Sequence, residues 1–294
     1  MTYHLLSFFL KLVSRIPFCV LYALSDCLYY LIYYVMRYRR TVVRNNLLSS
    51  FPEKTEKEIK TIEKNFYRFF ADNLLESCKL ATISKEEVSR RMHFTNPDDV
   101  NAVMKQGKSI SLFMGHYGNW EWCSSMPINF IDGVTSLQIY HQLRNENMNR
   151  VILDSRERMG AKGVEMRQTA RYITERIREG KVCVTGFIAD QSPKKKECKF
   201  FIPFLNHNVP VLVGIEKITK HYDFEAWFVR VKRIKRGYYE ATYVRMHENP
   251  KALPDYELTA IYYRMLEEAI HDQPELYLWT HRRFKHAKPL TNSL

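Results

Sequence analysis

The sequence predicts an α/β fold, with a mixed central sheet flanked by helices and a membrane-associated helix at the N-terminus. Three observations carry this expectation. From Ser109 onward, short apolar runs alternate with segments of helical spacing, the pattern of strands joined by crossover helices. Two strand-like segments flank Lys235-Arg236-Gly237 and add an antiparallel hairpin to that series. Residues 18–36 carry one charge, Asp26, and Arg37, Arg39, Arg40 and Arg44 follow at once.

The N-terminal segment comes first. As a helix, residues 18–36 would be roughly 29 Å long, close to the thickness of a bilayer core. The arginine cluster would then face the cytoplasm by the positive-inside rule, and so would the bulk of the chain. Tyr22, Tyr29, Tyr30, Tyr33 and Tyr34 suit an interface better than a lipid centre. Spanning, interfacial and buried soluble readings of this helix therefore all stay open. No small-residue cleavage site follows it, so a cleaved signal peptide is not expected. The chain divides into residues 1–40, an anchor or interfacial helix, and residues 41–294, the α/β domain.

Ile59, Ile62, Phe66, Phe69, Phe70 and Leu74 recur at helical spacing within residues 55–81, an amphipathic helix packed on the core. Ser84-Lys85-Glu86-Glu87 fits a capping box opening a short helix. Strands are expected at 109–114, 134–140, 163–166 and 182–188, all from Ser109 onward. Helices are expected at 120–130, 147–159, 169–179, 210–220 and 254–270. Residues 224–234 and 238–246 form the hairpin. Catalytic groups suit the ends of such strands, because ligands of α/β sheets sit beyond the strands' carboxyl ends.

Composition narrows the partners. The chain has 294 residues, a net charge of +13 and 46% hydrophobic residues. Its length allows one large domain with a small appendage. The charge asks for an anionic partner: nucleic acid, a phospholipid surface, a phosphorylated glycolipid or an acidic carrier protein. The sequence has no nucleic-acid motif, and its aromatics crowd into apolar runs instead of interleaving with basic residues. A mean hydropathy of −0.37 excludes a multi-span protein. Cysteines at 19, 27, 78, 123, 183 and 198 show neither a CxxC pair nor metal spacing, and read as buried thiols in a reducing compartment.

The chemistry concentrates in Gly115-His116-Tyr117-Gly118-Asn119-Trp120-Glu121, directly after an apolar run. Histidine takes a proton near neutral pH, and a nearby carboxylate fixes its tautomer. Five residues along one helix would set the two side chains about 140° apart. The pair therefore straddles a junction, with His116 at a strand end and Glu121 on the first turn after it. Taken alone, a histidine here is most simply a core residue, and Glu121 a carboxylate at a helix N-terminus. Asp190 ends the apolar strand 182–188, where a carboxylate is either exposed or paired. Arg156 and Arg158 lie two apart on a helix and cannot share one face. Gly107-Lys108-Ser109 ends like a P-loop, but Ala102 occupies the first glycine position and the lysine precedes a strand.

This His-x4-Glu motif resembles that of the late acyltransferases of lipid A biosynthesis, the lauroyl and myristoyl transferases of Gram-negative bacteria, within the lysophospholipid acyltransferase-like superfamily. Further blocks follow in that family's order. They are Arg40-Thr-Val-Val-Arg44-Asn45-Asn46-Leu47 with Phe51-Pro52, then Ile139-Tyr140 with Asn145 and Arg156-Glu-Arg158-Met-Gly160. Ala189-Asp190-Gln191 with Phe201-Ile-Pro203-Phe204 comes next. The last is Pro274-Glu275-Leu-Tyr-Leu-Trp279-Thr-His281-Arg282-Arg283-Phe284-Lys285. The family's third block usually continues with another acid and a glycine. Here it runs Gln191-Ser192-Pro193-Lys194-Lys195-Lys196.

The resemblance implies a glycerolipid acyltransferase-like fold and transfer of a fatty acyl chain from acyl carrier protein, or acyl-CoA, to a hydroxyl of a lipid A precursor. It implies a place at the cytoplasmic face of the inner membrane and neither a metal nor an organic cofactor. His116 would be the general base. Either Glu121 or Asp190 would orient it. Asn119 would offer an oxyanion donor, and the inward-facing one of Arg156 and Arg158 would hold a phosphate or the acyl carbonyl. Two other readings stay open. The same chemistry on another lipid acceptor, an aminolipid or a glycosylated phosphoinositide, would share the motif. A basic membrane-binding protein without catalysis would share the charge.

Overall fold

The computed structural model describes residues 2–288. Two helices open the chain, α1 (Tyr3–Arg15) and α2 (Phe18–Tyr30), and a single π-helical stretch, Leu31–Val35, prolongs the second. Their outer faces are apolar and open. Phe8 is 60% exposed, Leu12 55%, Val35 73% and Met36 61%. Their inner faces bury Leu21, Tyr29, Ile32 and Tyr33. Phe18–Val35 is long and apolar enough to cross a membrane, and only 28% of it is buried within the protein.

The inner faces rest on α4 (Glu56–Lys79), which α3 (Arg40–Ser50) precedes. Thr55 caps α4. Its hydroxyl accepts from the Glu58 amide, and the Glu58 carboxylate accepts from the Thr55 amide at 2.8 Å. Ile59, Phe66 and Phe69 fill the core, but Ile62 and Phe70 are only partly buried and Leu74 is exposed. The same helix also buries Glu63, Asp72 and Glu76, so it is more than a packing stripe. A buried carboxylate needs charges or donors beside it. Glu63 takes Arg40 at 3.1 Å and Arg44 at 3.2 Å, and Arg39 donates to the Thr280 carbonyl. Three arginines of the N-terminal cluster are thus engaged within the protein. Contacts also cross residue 40, for the Ser25 hydroxyl donates to Asp72 at 2.6 Å and Lys79 to the Ser14 carbonyl.

The short helix α5 (Lys85–Arg91) follows, capped by the Ser84 hydroxyl. The sheet is then laid down in the order β1 (Met92–Phe94), α6 (Pro97–Lys105), β2 (Ile110–Met114), β3 (Thr135–Tyr140), α7 (Glu146–Glu157) and β4 (Lys162–Glu165). Helix α8 (Thr169–Arg178) leads to β5 (Cys183–Ile188), and the small strands β6 (Phe200–Phe204) and β7 (His207–Val211) lead to α9 (Gly214–His221). The hairpin β8 (Glu225–Lys235) and β9 (Tyr238–His247) and helix α10 (Glu257–Asp272) complete it. The seven-stranded sheet runs β1-β9-β8-β2-β5-β3-β4. Only β8 and β9 pair antiparallel, so the sheet is mixed, as expected. The central strands β2 and β5 are buried nearly end to end, as parallel strands covered on both faces should be.

Four local expectations are corrected. Residues 120–130 form not an α-helix but a 3-10 run, Trp122–Asn129, with Pro127 inside it. Proline has no amide to donate and crowds the preceding turn. Residues 207–211 are strand, and only 214–221 are helix. Leu205 and Asn206 both take positive φ, which closes a two-residue hairpin between β6 and β7. Strand β1 lies before Ser109, where no strand was expected. Cys19 and Cys27 are exposed on α2, not buried.

Candidate active site

Strands β2 and β5 pair in parallel with Met114 opposite Ile188. Two residues further along each strand stand His116 and Asp190. Neighbouring strands lie about 4.8 Å apart, so the register alone sets these side chains side by side. Asp190 Oδ1 accepts from the His116 backbone amide at 3.0 Å and lies 2.7 Å from Nδ1 of the ring. Asp190 is buried, whereas the His116 side chain keeps 21% of its surface open.

The electrostatics follow. Burial pushes the Asp190 carboxyl up, but the charge of His116, its two hydrogen bonds and the Arg283 guanidinium outweigh that and hold it below its ordinary value. Burial works against a charged His116, yet the Asp190 charge and hydrogen bond raise its pKa above the usual histidine value. With Nδ1 turned to Asp190, Nε2 is the nitrogen that faces away from the carboxylate. The Gln191 amide lies 3.3 Å from Nε2, and Trp120 meets the ring edge-on.

The strand ends are fixed from behind. The Tyr262 hydroxyl donates to the Met114 carbonyl at 2.7 Å, and Tyr263 donates to the Ala189 carbonyl at 2.9 Å, both from α10. Gly115 passes so close to α10 that a β-carbon there would come within 2.7 Å of Leu266. Gly118 adopts φ +63, and a β-carbon would press on Val231 at 2.6 Å. The loop then leans on the C-terminal segment. The Gly118 amide donates to the Leu276 carbonyl, and the Leu278 amide to the His116 carbonyl.

Glu121 makes no hydrogen bond to His116, although its charge also helps to raise the histidine pKa. Its two oxygens take Nε and Nη2 of Arg156 at 2.8 and 2.6 Å, a bidentate pair. Burial disfavours the Arg156 charge, but the hydrogen bond and charge of Glu121 raise its pKa all the same. The pair lies between two cavities. One is a narrow space of about 60 Å³ among Met114, Trp120, Cys123, Met126, Leu153 and Ile188. The other is an apolar groove of about 430 Å³ among Leu6, Phe9, Val13, Leu80, Val151 and Ile152, from α1, α4 and α7. Glu121 and Arg156 line both.

Two other sequence candidates are used inside the protein. Asn119 is fully buried; its amide donates to Glu76 at 2.8 Å and its carbonyl accepts from the Trp122 amide. Arg158 donates to the carbonyls of Leu80 and Ile83, closing the end of α4.

Sequence reasoning passed over several neighbours of the site. Arg283 is buried behind Asp190, donating to the Tyr263 hydroxyl and the Pro210 carbonyl. His281 Nε2 accepts from the Ser192 amide, so its ring is neutral there, and burial pushes its pKa down to about 4. Asn46 donates to the carbonyls of Trp279 and His281. The signal for all three lay in the N-terminal and C-terminal sequence blocks, which pack on one another.

Over residues 1–286 the chain matches the family model described as bacterial lipid A biosynthesis acyltransferase. It is also similar to a lipid A biosynthesis acyltransferase of Haemophilus influenzae, with 23% identity over 213 residues. That alignment covers 72% of this chain and 65% of the relative, so it spans less than two thirds of the relative's length.

Proposed function

Because the chain belongs to the bacterial lipid A biosynthesis acyltransferase family, we propose that it transfers a fatty acyl chain from a thioester, on acyl carrier protein or coenzyme A, to a hydroxyl of a lipid A precursor, with His116 as general base. The observation that carries this reading is the Asp190–His116 pair at the carboxyl ends of β2 and β5, with Nε2 turned away from Asp190. Asp190 holds the proton on Nδ1 and stabilises the imidazolium. Nε2 takes the proton of the acceptor hydroxyl as its oxygen attacks the thioester carbonyl carbon. The tetrahedral intermediate collapses, the carbon–sulfur bond breaks, and the imidazolium returns its proton to the departing thiolate. One ester and one free thiol result.

Arg156, fixed by Glu121 beside the narrow cavity, is suited to the acyl carbonyl or to a phosphate of the acceptor. The apolar spaces on either side of that pair suit an acyl chain. The open apolar faces of α1 and α2 suit a membrane surface, from which the acceptor reaches the site. The acidic carrier and the phosphorylated acceptor both complement a chain of charge +13. The reading is tested by lipid mass spectrometry of cells with and without the gene, and of cells carrying His116→Ala. The expected result is loss of one acyl chain from lipid A in both mutants. Unchanged lipid A in the cells lacking the gene would overturn it.

A further inference from the structure

Glu76 lies fully buried near the end of α4 and stands apart from the reacting groups described above. It joins four parts of the molecule. One carboxylate oxygen accepts from the Tyr22 hydroxyl of α2 at 2.9 Å. The other accepts from the Asn119 amide at 2.8 Å and from the Tyr239 hydroxyl of β9 at 2.8 Å. Its backbone carbonyl accepts from the Trp122 indole at 2.9 Å. Asn119 in turn accepts from the Trp122 amide, so Glu76 holds the segment after His116 on this side. On the other side it is held by Leu276 and Leu278.

We infer that Glu76 is a positioning residue that fixes the His116 loop through Asn119 and Trp122 and links it to α2 through Tyr22, so that the seating of α2 sets the geometry of His116. A plain structural role would need no such convergence. An apolar side chain would fill the same space, and burying a carboxylate demands that every acceptor be satisfied. Here the three donors to the carboxylate come from three different elements, and one of them, Asn119, belongs to the segment after His116. Tyr22 extends from α2, whose outer face is open and apolar, with Val20 and Leu24 nearly half exposed. A shift of α2 on a membrane surface would therefore reach Asn119 through a single carboxylate. The inference rests on the reading of His116 as the base.

The test uses full-length protein in detergent micelles with two readouts. Turnover is measured with an acyl carrier protein thioester. The His116 ring is followed by NMR of histidine-labelled protein, its resonance assigned by its loss in His116→Ala. Glu76→Ala is expected to lower kcat roughly 10- to 100-fold, as a misplaced reacting group does, with KM little changed and the His116 resonance broadened or moved. Glu76→Gln keeps an acceptor for the loop and a donor for Tyr22, and is expected to recover most of the loss. Tyr22→Phe removes one hydroxyl without a cavity and is expected to lower kcat several-fold and move the same resonance. A lowered Tm with wild-type kcat and an unmoved resonance in Glu76→Ala would overturn the inference. If Glu76→Ala does not fold, the same outcome in Tyr22→Phe overturns it. Should His116→Ala retain turnover, the base assignment fails, and the resonance still decides whether Glu76 places the loop.

Discussion

His116 and Asp190 each stand two residues beyond a registered pair, Met114 and Ile188, on neighbouring parallel strands. Their 2.7 Å contact is thus a consequence of strand register. Glu121, five residues from His116 in sequence, turns instead to Arg156. This division between the two carboxylates governs the predictions on the site.

His116→Ala is expected to lower turnover by roughly 10²–10⁴-fold, the usual contribution of a general base. The protein should stay folded and membrane-associated. A carrier-protein assay together with a sedimentation test checks both. Turnover within a few-fold of wild type would sink the mechanism.

Asp190→Asn is expected to reduce kcat more than Glu121→Gln does. The amide no longer holds the Nδ1 proton or supports the imidazolium, and a loss of roughly 10²–10⁴-fold follows. Glu121→Gln should act through Arg156, with about 1–3 kcal/mol lost from stability as a charge-assisted pair becomes neutral on one side. Steady-state kinetics and thermal melts of the two variants separate these effects. The reverse order in kcat would assign the orienting role to Glu121.

The pH dependence has a definite sign. The base must be unprotonated, and the pKa of His116 lies above the ordinary 6.5. The acid limb of kcat/KM is therefore expected above pH 6.5 and should move down in Asp190→Asn. For stability, the raised histidine contributes fully below its unfolded pKa and loses that contribution as pH rises through the folded value. The lowered Asp190 contributes above its unfolded value, 3.8, and loses this as pH falls through its folded value. A rate profile with its acid limb below pH 6.5 would contradict the assignment.

Gly118→Ala is expected to destabilise the loop by about 1–3 kcal/mol, because the residue sits at positive φ, and Val231 closes the space a β-carbon would need. Gly115→Ala presses on the Leu266 side chain but carries no positive φ, and should cost less. Denaturant melts of the two variants test the order.

Membrane attachment should come mainly from apolar burial, because Phe8, Leu12, Val35 and Met36 are open while Arg40 and Arg44 are tied to Glu63. High salt screens charge but not apolar contact. Salt washing is therefore expected to leave the protein on membranes and detergent to release it. Phe8→Ser combined with Leu12→Ser should weaken liposome binding at every salt concentration. Release by salt alone would remove the membrane role proposed for this face.

Local patterns determined much of this fold. Helix α4 announces itself by its apolar spacing. Strands β2 and β5 show as short, mostly apolar runs, and the β8–β9 hairpin as two strands around Gly237. Each depends on side chains a few residues apart, so sequence order carries the information. The same holds for His116, marked by its glycines and by its place after an apolar strand. What remained was decided by contacts between distant segments. Which carboxylate meets His116 depends on the pairing of strands 74 residues apart. That Asn119 and Arg158 serve the scaffold depends on where α4 ends, beside both of them. That Arg40 and Arg44 turn inward depends on a carboxylate buried one helix away. Periodicity reports which face of an element is apolar. It does not report which partner that face meets or in what register, because those follow from the joint packing of all the layers.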